Sequence, residues 1–600
     1  MKLFNFFVFY NIKTQWLRGK GDDKLKLMWR YTMKYKGLVF LNFLSVFGFI
    51  LIELGLPTLL AKMIDNGIAV NDFGEVKYYG MIMIAICLIG LVALMFLAYC
   101  GSKITTSIVR DIRDDIFEKT QSFSHREYDQ FGVSSLVTRT TNDAFQVMQF
   151  MQMILRMGMM TPLMFISSFI MIVRTSPSLS WVVFAAIPFL LIGVLLIGKK
   201  SEPLSESQQS NLDAINLNLR ENLTGLRVIR AFVNEKFQEK RFKVVNDAYA
   251  TVSKKLFKLM AYAQPGFSVV FNIIFAVVIW LGVGQINTGD LQVGNLIAFI
   301  EYIFHALFSF MLFANVFMMY PRAAVSAHRI EEVLATEPVI TENENGITET
   351  KTHGYLTFEN VTFAYPGNTE TPIIRDVSFS SKPGETIAFI GSTGSGKSTL
   401  IQLIPRFYDV TKGRILLDGV DVRDYKLSAL RKKIGYIPQK ALLFTGTIAE
   451  NMRYGKWNAT TGELEEASDI AQAKEFISLK PAQYDELLAE GGSNMSGGQK
   501  QRLSIARAIV KKPDVYIFDD SFSALDYQTD AKLRARLKSE TKEATVLIVA
   551  QRVGTIMHAD KILVLNEGEV IGMGTHKELL KTCDVYYDIA ASQLSKEELA

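Results

Sequence analysis

Six long apolar stretches limit what this chain can fold into more than any other feature of its sequence. Each is about long enough to cross a bilayer as a helix. A helix satisfies its own backbone hydrogen bonds in lipid, so the pattern predicts a membrane domain of six helices. A composition of 49% hydrophobic residues and a mean hydropathy of +0.18 agree with this prediction. The stretches lie near residues 37–59, 79–99, 153–173, 180–198, 262–284 and 294–319.

Lys and Arg residues are unevenly distributed around these stretches. They are frequent before the first stretch, between the second and third, and between the fourth and fifth, whereas residues 284–292 contain none. The positive-inside rule then predicts a multi-pass protein of the cell membrane with both termini and the second half of the chain in the cytosol. Residues 1–36 are aromatic and basic, and we expect them to lie at the membrane interface; a signal peptide is the alternative.

The two long basic segments between spans are mostly free of Pro and Gly. We therefore expect the spans to continue as helices well beyond the membrane. Two breaks interrupt this pattern, at residues 123–132 and 222–232. Each break is compatible with a short helix across the tip of the extension and equally with an ordinary surface turn.

Glu53, Glu301 and His305 are ionisable residues inside the apolar stretches. Glu53 lies in the first, and Glu301 and His305 lie in the last, four positions apart and so on one face of a helix. Ionisable groups are costly in a membrane and are candidates for a functional site. One interpretation is that they pair with each other or with polar groups on a neighbouring helix. The other is that they line a substrate cavity.

The composition changes after residue 320. Residues 321–335 are typical of a short amphipathic helix, and 336–353 are polar and acidic without periodicity, as in a linker. Strands then alternate with helices, which predicts an α/β domain. The predicted organisation is an interfacial segment (1–36), a membrane domain (37–320), a linker (321–353) and an α/β nucleotide-binding domain (354–600).

A phosphate-binding pattern, G-x-x-x-x-G-K-[ST], lies between an apolar strand and the start of a helix near 400–407. Its glycines let backbone N–H groups surround a polyphosphate, and the helix N-terminus adds positive potential. Lys397 would reach the β and γ phosphates, and Ser398 would offer its hydroxyl to Mg²⁺. The pattern consists of Gly391, Ser392, Thr393, Gly394, Ser395, Gly396, Lys397, Ser398 and Thr399.

Other motifs accompany this loop. Tyr365, about 26 residues earlier, offers an aromatic ring that could stack on adenine. Gln439 follows a predicted strand, and a second apolar strand ends in Asp519, as a Mg²⁺-binding carboxylate requires. A further anion-binding device opens a helix at Ser496, Gly497, Gly498 and Gln499, the signature segment.

In this combination and order, the motifs closely resemble those of the ABC transporter family, and in particular exporters that fuse one membrane domain to one nucleotide-binding domain. The resemblance covers about residues 25 to 590 and implies a type I ABC exporter fold. It implies that 123–132 and 222–232 include coupling helices, and that two chains pair head to tail, with ATP on one phosphate loop covered by the signature segment of the other. It also implies that MgATP is bound by Tyr365, 391–399, Gln439 and Asp519, with Ser398, Gln439 and Asp519 at the metal.

Two positions depart from the family pattern within the hydrolytic machinery. Asp520 stands where the family has Glu to orient the attacking water, and Gln551 stands where it has the His that contacts the γ phosphate. Asp is shorter by about 1.5 Å, and a misplacement of about 1 Å can cost a hundredfold in rate. The predicted site binds ATP and cleaves it slowly. The alternative is that both residues are tolerated and the site relaxes around them.

The intact signature segment predicts a heterodimer, because in a head-to-tail pair it serves the ATP of the other subunit. The partner would carry the catalytic Glu and His, as in the bacterial heterodimeric multidrug exporters that this chain resembles. The predicted function is ATP-driven export of amphipathic drugs or lipids. Alternatives are a lipid or peptide exporter subunit and an ATP-binding regulatory membrane subunit. A net charge of +5 and the apolar stretches argue against a nucleic-acid partner, and three cysteines make no disulfide framework.

Overall fold

Helices form the first half of the chain. The computed structural model describes residues 22–367 and 370–595, so residues 1–21 of the predicted interfacial segment lie outside the described residues. Three π-helical turns, Ile64–Ile68, Arg139–Asp143 and Ile154–Gly158, join consecutive helices. The helices are α1 (Asp22–Lys34), α2 (Lys36–Met63), α3 (Phe73–Gln121), α4 (His125–Phe131), α5 (Val133–Thr138), α6 (Ala144–Met153), α7 (Met159–Thr175), α8 (Pro177–Thr224), α9 (Leu226–Ala231), α10 (Glu235–Thr288) and α11 (Val293–Ala335).

Five helical stretches among the described residues are long and apolar enough to cross a membrane. The predicted fourth stretch lies in α8, whose described apolar part, Pro177–Phe189, is shorter, although the helix itself continues to Thr224. α10 has 54 residues, which at 1.5 Å per residue is roughly 80 Å and far exceeds a bilayer core. The long helical extensions are therefore present. The five stretches are Lys36–Ile68, Phe73–Gln121, Val133–Thr175, Glu235–Thr288 and Val293–Phe313.

The last of these helices continues where the sequence suggested a boundary. α11 passes through Pro321 without a break and ends at Ala335, so residues 321–335 are its final turns and form no separate helix. Ala323, Ala327 and Ile330 are buried at helical spacing, and this apolar stripe keeps the helix going past the proline. At its other end, the buried Asp65 accepts hydrogen bonds from the backbone N–H groups of Gly294, at 2.7 Å, and Asn295, at 3.1 Å.

Both breaks in the basic segments hold a short helix, α4 and α9. α4 begins with a capping arrangement in which the Glu127 carboxylate accepts from the backbone N–H of Ser124 at 2.8 Å. Of the two interpretations, the short helix is therefore the one that the structure contains.

The described residues form two compact units that do not follow the chain order. Residues 22–119 and 137–335 make up the membrane unit; residues 120–136 and 336–595 make up the nucleotide-binding unit. α4 thus belongs to the second unit. There the His125 ring stacks on Phe407, with centroids 4.5 Å apart, and the Tyr408 hydroxyl donates to Asp129 Oδ2 at 3.1 Å.

The nucleotide-binding unit contains two main sheets. One has the order β2–β1–β4–β5 and is antiparallel. The other has the order β12–β11–β3–β10–β9–β6 and is parallel except for β12 at its edge. The strands are β1 (Leu356–Phe363), β2 (Ile374–Ser381), β3 (Thr386–Gly391), β4 (Lys412–Leu417), β5 (Val420–Asp421), β6 (Ile434–Ile437), β7 (Gly446–Thr447), β8 (Leu487–Leu488), β9 (Val515–Asp519), β10 (Thr545–Val549), β11 (Lys561–Asn566) and β12 (Glu569–Gly574).

Helices cover one face of the parallel sheet, and the antiparallel sheet together with short helices covers the other. Ile387 and Phe389 of β3 pack into one apolar core, and Ala388 and Ile390 pack into the other, as the two-residue period of a strand requires. The carboxyl ends of β3, β6, β9 and β10 meet at one edge, where open α/β sheets bind ligands. The helices are α12 (Lys397–Gln402), α13 (Leu427–Lys432), α14 (Ile448–Arg453), α15 (Thr461–Ile470), α16 (Lys474–Ser478), α17 (Gly497–Lys511), α18 (Tyr527–Glu540), α19 (Val553–Ile556), α20 (His576–Thr582) and α21 (Asp584–Ala591).

Candidate functional site

The phosphate-loop pattern forms a tight loop between β3 and α12. Gly391 has φ +155°, and a Cβ built on it would lie 2.0 Å from the backbone oxygen of Leu565. Gly396 has φ +94°, and its Cβ would meet Ile374 at 2.6 Å. A side chain at either position would change the path of the loop. Glycine therefore lets backbone N–H groups converge there, ahead of the positive end of α12. The helix is shorter than predicted and ends at Gln402.

Lys397 folds over this loop. Its Nζ donates to the carbonyl oxygens of Gly391, at 2.9 Å, and Ser392, at 2.7 Å, and to Ser395 Oγ at 3.2 Å. Burial lowers the pKa of this ammonium, while the charges of Asp520 and Asp519 oppose the shift. These three oxygens hold the lysine in place. The same N–H groups of the ammonium would donate to the oxygens of a bound polyphosphate.

Ser398 and Asp519 are joined at the carboxyl edge of the sheet. Ser398 Oγ donates to Asp519 Oδ1 at 2.6 Å, and the Tyr436 hydroxyl donates to Oδ2 at 3.1 Å. Burial raises the pKa of Asp519, and these hydrogen bonds and Lys397 oppose the shift. A serine hydroxyl and a carboxylate are the hard oxygen donors that Mg²⁺ prefers, so the donor set fits this ion. Sequence reasoning missed Tyr436, whose only signal was its place three residues before Gln439.

Asp520 is the centre of a second group of polar contacts. Its Oδ2 accepts from Gln551 Nε2 at 2.8 Å and from Gln439 Nε2 at 3.2 Å. Burial raises the pKa of Asp520, the neighbouring charge of Asp519 adds to this, and the two amides oppose it. Gln439 thus contacts Asp520, whereas its predicted place was at the metal beside Ser398 and Asp519. One oxygen of the Asp520 carboxylate therefore already accepts hydrogen bonds from two amides.

The aromatic ring of Tyr365 lies beside the phosphate loop. Its hydroxyl forms a 3.1 Å hydrogen bond with Thr399 Oγ1, and its ring contacts those of Phe363 and Tyr408 edge-on, at 5.0 and 5.2 Å. These contacts fix the ring, which is half-buried, next to the loop.

The signature segment begins α17. Ser496 Oγ accepts from the backbone N–H of Gln499 at 3.3 Å, and Gln499 Oε1 accepts from the backbone N–H of Ser496 at 3.0 Å. This reciprocal pair is a capping box, and it leaves Ser496 and Gly497 exposed at the positive end of a 15-residue helix. The arrangement exposes a hydroxyl and helix-terminal N–H groups that an anionic ligand could contact.

Glu53, Glu301 and His305, the candidate substrate residues of the membrane unit, lie on two helices. His305 Nε2 of α11 is 3.4 Å from Glu53 Oε2 of α2. Glu301, one turn earlier on α11, is exposed. The pairing therefore joins two helices that are distant in the sequence, while Glu301, the sequence neighbour, stays outside it.

Known proteins resemble this chain over almost its whole length. A family model described as "ABC transporter transmembrane region" matches residues 39–311, and one described as "ABC transporter" matches residues 374–523. An uncharacterised ABC transporter ATP-binding protein of Bacillus subtilis is 39% identical over 546 residues, which cover 91% of this chain and 94% of the relative. One of Mycobacterium tuberculosis is 37% identical over 578 residues, covering 95% and 98%.

A third relative has a more specific description. A putative multidrug export ATP-binding/permease protein of Bacillus subtilis is 32% identical over 569 residues, covering 93% of this chain and 97% of the relative. Among solved structures, that of a bacterial Atm1-family ABC exporter with ATP bound matches with a TM-score of 0.75 at 22% identity. The match covers 94% of this chain and 98% of that one, and at this identity it concerns the fold.

Proposed function

Because this chain belongs to the ABC transporter family, we propose that it is one subunit of a heterodimeric exporter whose own ATP site is degenerate. The family, the type I exporter fold and an ATP-hydrolysing transporter were predicted from the motifs and are confirmed. The chain is a multi-pass membrane protein with an ATP-binding domain. The proposal concerns the partner, the division of labour between the two ATP sites and the cargo.

ATP would be held by the loop 391–399 and by the ring of Tyr365. The backbone N–H groups of the loop and Lys397 would bind the phosphates, and the ring would stack on the adenine. Mg²⁺ would be held by Ser398 and Asp519, with Gln439 as a further ligand once it leaves Asp520. When bound, the ion neutralises charge on the β and γ phosphates.

One observation carries the proposal that this site cleaves ATP slowly: Gln551 and Gln439 both donate to Asp520 Oδ2. A general base must accept a proton from the attacking water at hydrogen-bond distance. The Asp520 carboxylate is one methylene shorter than the family's Glu, and one of its oxygens already accepts two hydrogen bonds. Gln551 can donate a hydrogen bond but cannot carry the positive charge of a His.

The exposed capping box at Ser496 supports a heterodimer. Its hydroxyl and helix terminus would close over ATP on the partner, and the partner's catalytic Glu and His would complete that site. ATP binding would draw the two nucleotide-binding domains together and open the membrane cavity outward. Hydrolysis at the partner's site would reset the pair.

The proposed cargo is an amphipathic drug or lipid, moved from the cytosolic side outward across the cell membrane. The distribution of Lys and Arg between the spans supports a cytosolic position for the ATP-binding domain and both termini. The relative described as a putative multidrug export protein is consistent with this class of cargo.

The test is to measure ATP turnover of the purified heterodimer, obtained by co-expressing this chain with a half-transporter that carries the catalytic Glu and His. Replacing the partner's catalytic Glu by Gln should lower turnover by roughly a hundredfold or more, because a base essential to hydrolysis is lost. The matched change in this chain, Asp520→Asn, should lower turnover less than about threefold. If turnover survives the partner's change and falls with Asp520→Asn, this chain holds the working site and the proposal fails.

A further inference from the structure

A histidine and a carboxylate lie 3.4 Å apart across two helices near the middle of the membrane unit, and they form an ion pair when the histidine is protonated. His305 lies roughly 18 Å along α11 from its first residue, Val293, and Glu53 lies roughly 15 Å before the end of α2 at Met63. Asp65, just beyond α2, caps the start of α11, so the two helices run in opposite directions and the two side chains share one depth. In a hydrocarbon core about 30 Å thick, that depth is central.

The carboxylate of Glu301 has a different environment from this pair. It lies one turn from His305 on the same face of α11 and is exposed. Among the described residues, no ion pair or hydrogen bond reaches it. An ionised carboxylate at this depth is costly when it faces lipid. The face of α11 that carries Glu301 is therefore expected to meet water or a positively charged group.

Phenylalanine rings extend this face of the helix. Phe304 and Phe308 are stacked almost parallel, with centroids 5.6 Å apart and planes 8° apart, and they are 43% and 47% exposed. Phe271 of α10 meets Phe304 edge-on at 5.8 Å. The faces of aromatic rings carry negative charge density and attract cations. The charge of Glu301 and the faces of these rings thus both favour a positively charged ligand.

We propose that Glu301, Phe304 and Phe308, backed by the Glu53–His305 pair, form a binding surface for a lipophilic organic cation. Two carboxylates against one imidazole leave the surface negative whether or not the histidine is protonated. A hard metal cation would need about six oxygen ligands, whereas the neighbours of Glu301 are rings. A delocalised cation with an apolar body satisfies the carboxylate and the rings together. This inference rests on the proposed export function, since it names the cargo of that exporter.

The experiment uses two ions of equal shape and opposite charge, tetraphenylphosphonium and tetraphenylborate. Equilibrium binding of each is measured to the full chain in phosphatidylcholine nanodiscs without nucleotide. We expect saturable binding of the cation, weakened roughly tenfold by Glu301→Gln and severalfold by Phe304→Ala, and no such effect on the anion. Glu301→Asp keeps the charge and should retain most of the binding. Glu239→Gln, an exposed position in the polar part of α10, is the matched control.

Three results would overturn the inference: equal binding of the two ions, cation binding that Glu301→Gln leaves unchanged, or no saturable cation binding to the wild-type chain. If Glu301 serves instead to hold a basic residue of the partner, Glu301→Gln will weaken assembly of the heterodimer and leave cation binding unchanged. The turnover experiment above measures only ATP hydrolysis and does not measure cation binding. It can therefore fail while cation binding succeeds, and the two proposals are separately testable.

Discussion

At the scale of single residues, the phosphate loop depends on backbone positions that exclude a side chain. Gly391→Ala places a Cβ 2.0 Å from a backbone oxygen at φ +155°, whereas Gly394→Ala has φ +86° but open space within 4 Å. We expect Gly391→Ala to abolish ATP binding, because β11 and the loop cannot both keep their places. Gly394→Ala should cost only the backbone strain, about 1–2 kcal/mol.

Binding of a fluorescent ATP analogue and thermal unfolding of both variants check this expectation. The comparison isolates the steric clash, since both positions carry the same kind of substitution at positive φ. Equal loss of binding in the two variants would mean that backbone strain alone, and not the contact with Leu565, makes Gly391 necessary.

His125 predicts a dependence on pH. Burial of one ring face against Phe407 and the charge of Arg431 lower the pKa of its imidazole, and Asp129 opposes them. Because the folded pKa lies below the ordinary 6.5, the folded state resists protonation. The stability that this packing contributes is complete above about pH 6.5 and is lost as the pH falls toward the lower folded value. Acid should therefore loosen α4.

Hydrogen exchange of the α4 amides tests this in the full chain, compared at each pH with His125→Phe, which keeps the stacked ring but does not titrate. At about pH 7.5 the two proteins should be equally protected, and at about pH 5.5 the wild type should exchange faster. Identical protection at both values would show that the imidazole stays neutral or that its charge is harmless there.

The sequence singled out the residues of the proposed ATP site because each motif is a local pattern with its own chemistry. The phosphate loop needs glycine at fixed places, and Asp519 closes an apolar strand. The contacts between motifs could not be predicted. Gln439, Asp520 and Gln551 lie in three segments that only the parallel sheet brings to one edge, and the sequence gives no distance between them.

At the scale of elements, the start of α11 depends on one distant carboxylate. Asp65 is 8% exposed and accepts from two N–H groups at the start of the helix, which otherwise lack partners. Asp65→Ala should destabilise the membrane unit by about 1–3 kcal/mol. Thermal unfolding in detergent measures the effect, with Asp72→Ala as the control.

Asp72 caps the start of α3 in the same way, through Gly74 and Glu75, but is exposed, so water can replace its side chain. Its loss should cost less than about 1 kcal/mol. If both variants unfold at the same temperature, burial adds nothing to the cap at Asp65.

The sequence predicted that these helices exist more reliably than it predicted where they begin and end. The apolar stretches predicted the membrane helices because a run of about 20 apolar residues seldom forms anything other than a membrane-spanning helix. The change of composition after residue 320 suggested a boundary, but α11 continues through Pro321 because buried alanines on the far side keep its packed face. The pairing of His305 with Glu53 could not be predicted either. Helix periodicity relates residues within one helix and does not identify the residues of a neighbouring helix.

At the scale of the whole molecule, the proposed heterodimer predicts that the capping box at Ser496 acts on the ATP of the partner. In the heterodimer, Ser496→Ala should lower turnover by at least about tenfold, because a donor to the partner's phosphate is lost and the helix loses its cap. Photolabelling of this chain with an azido-ATP should be unchanged. Ser493→Ala, an exposed serine three residues earlier, is the control and should leave both measurements unchanged. Loss of labelling together with turnover would place Ser496 at this chain's own nucleotide.

Residues 120–136 belong to the nucleotide-binding unit, and this has a practical consequence for truncated forms of the protein. A recombinant fragment that starts after the last membrane helix would lack α4 and leave Phe407 and Tyr408 uncovered. Such a truncated protein should be prone to self-association, and adding the missing segment as a synthetic peptide should restore its solubility.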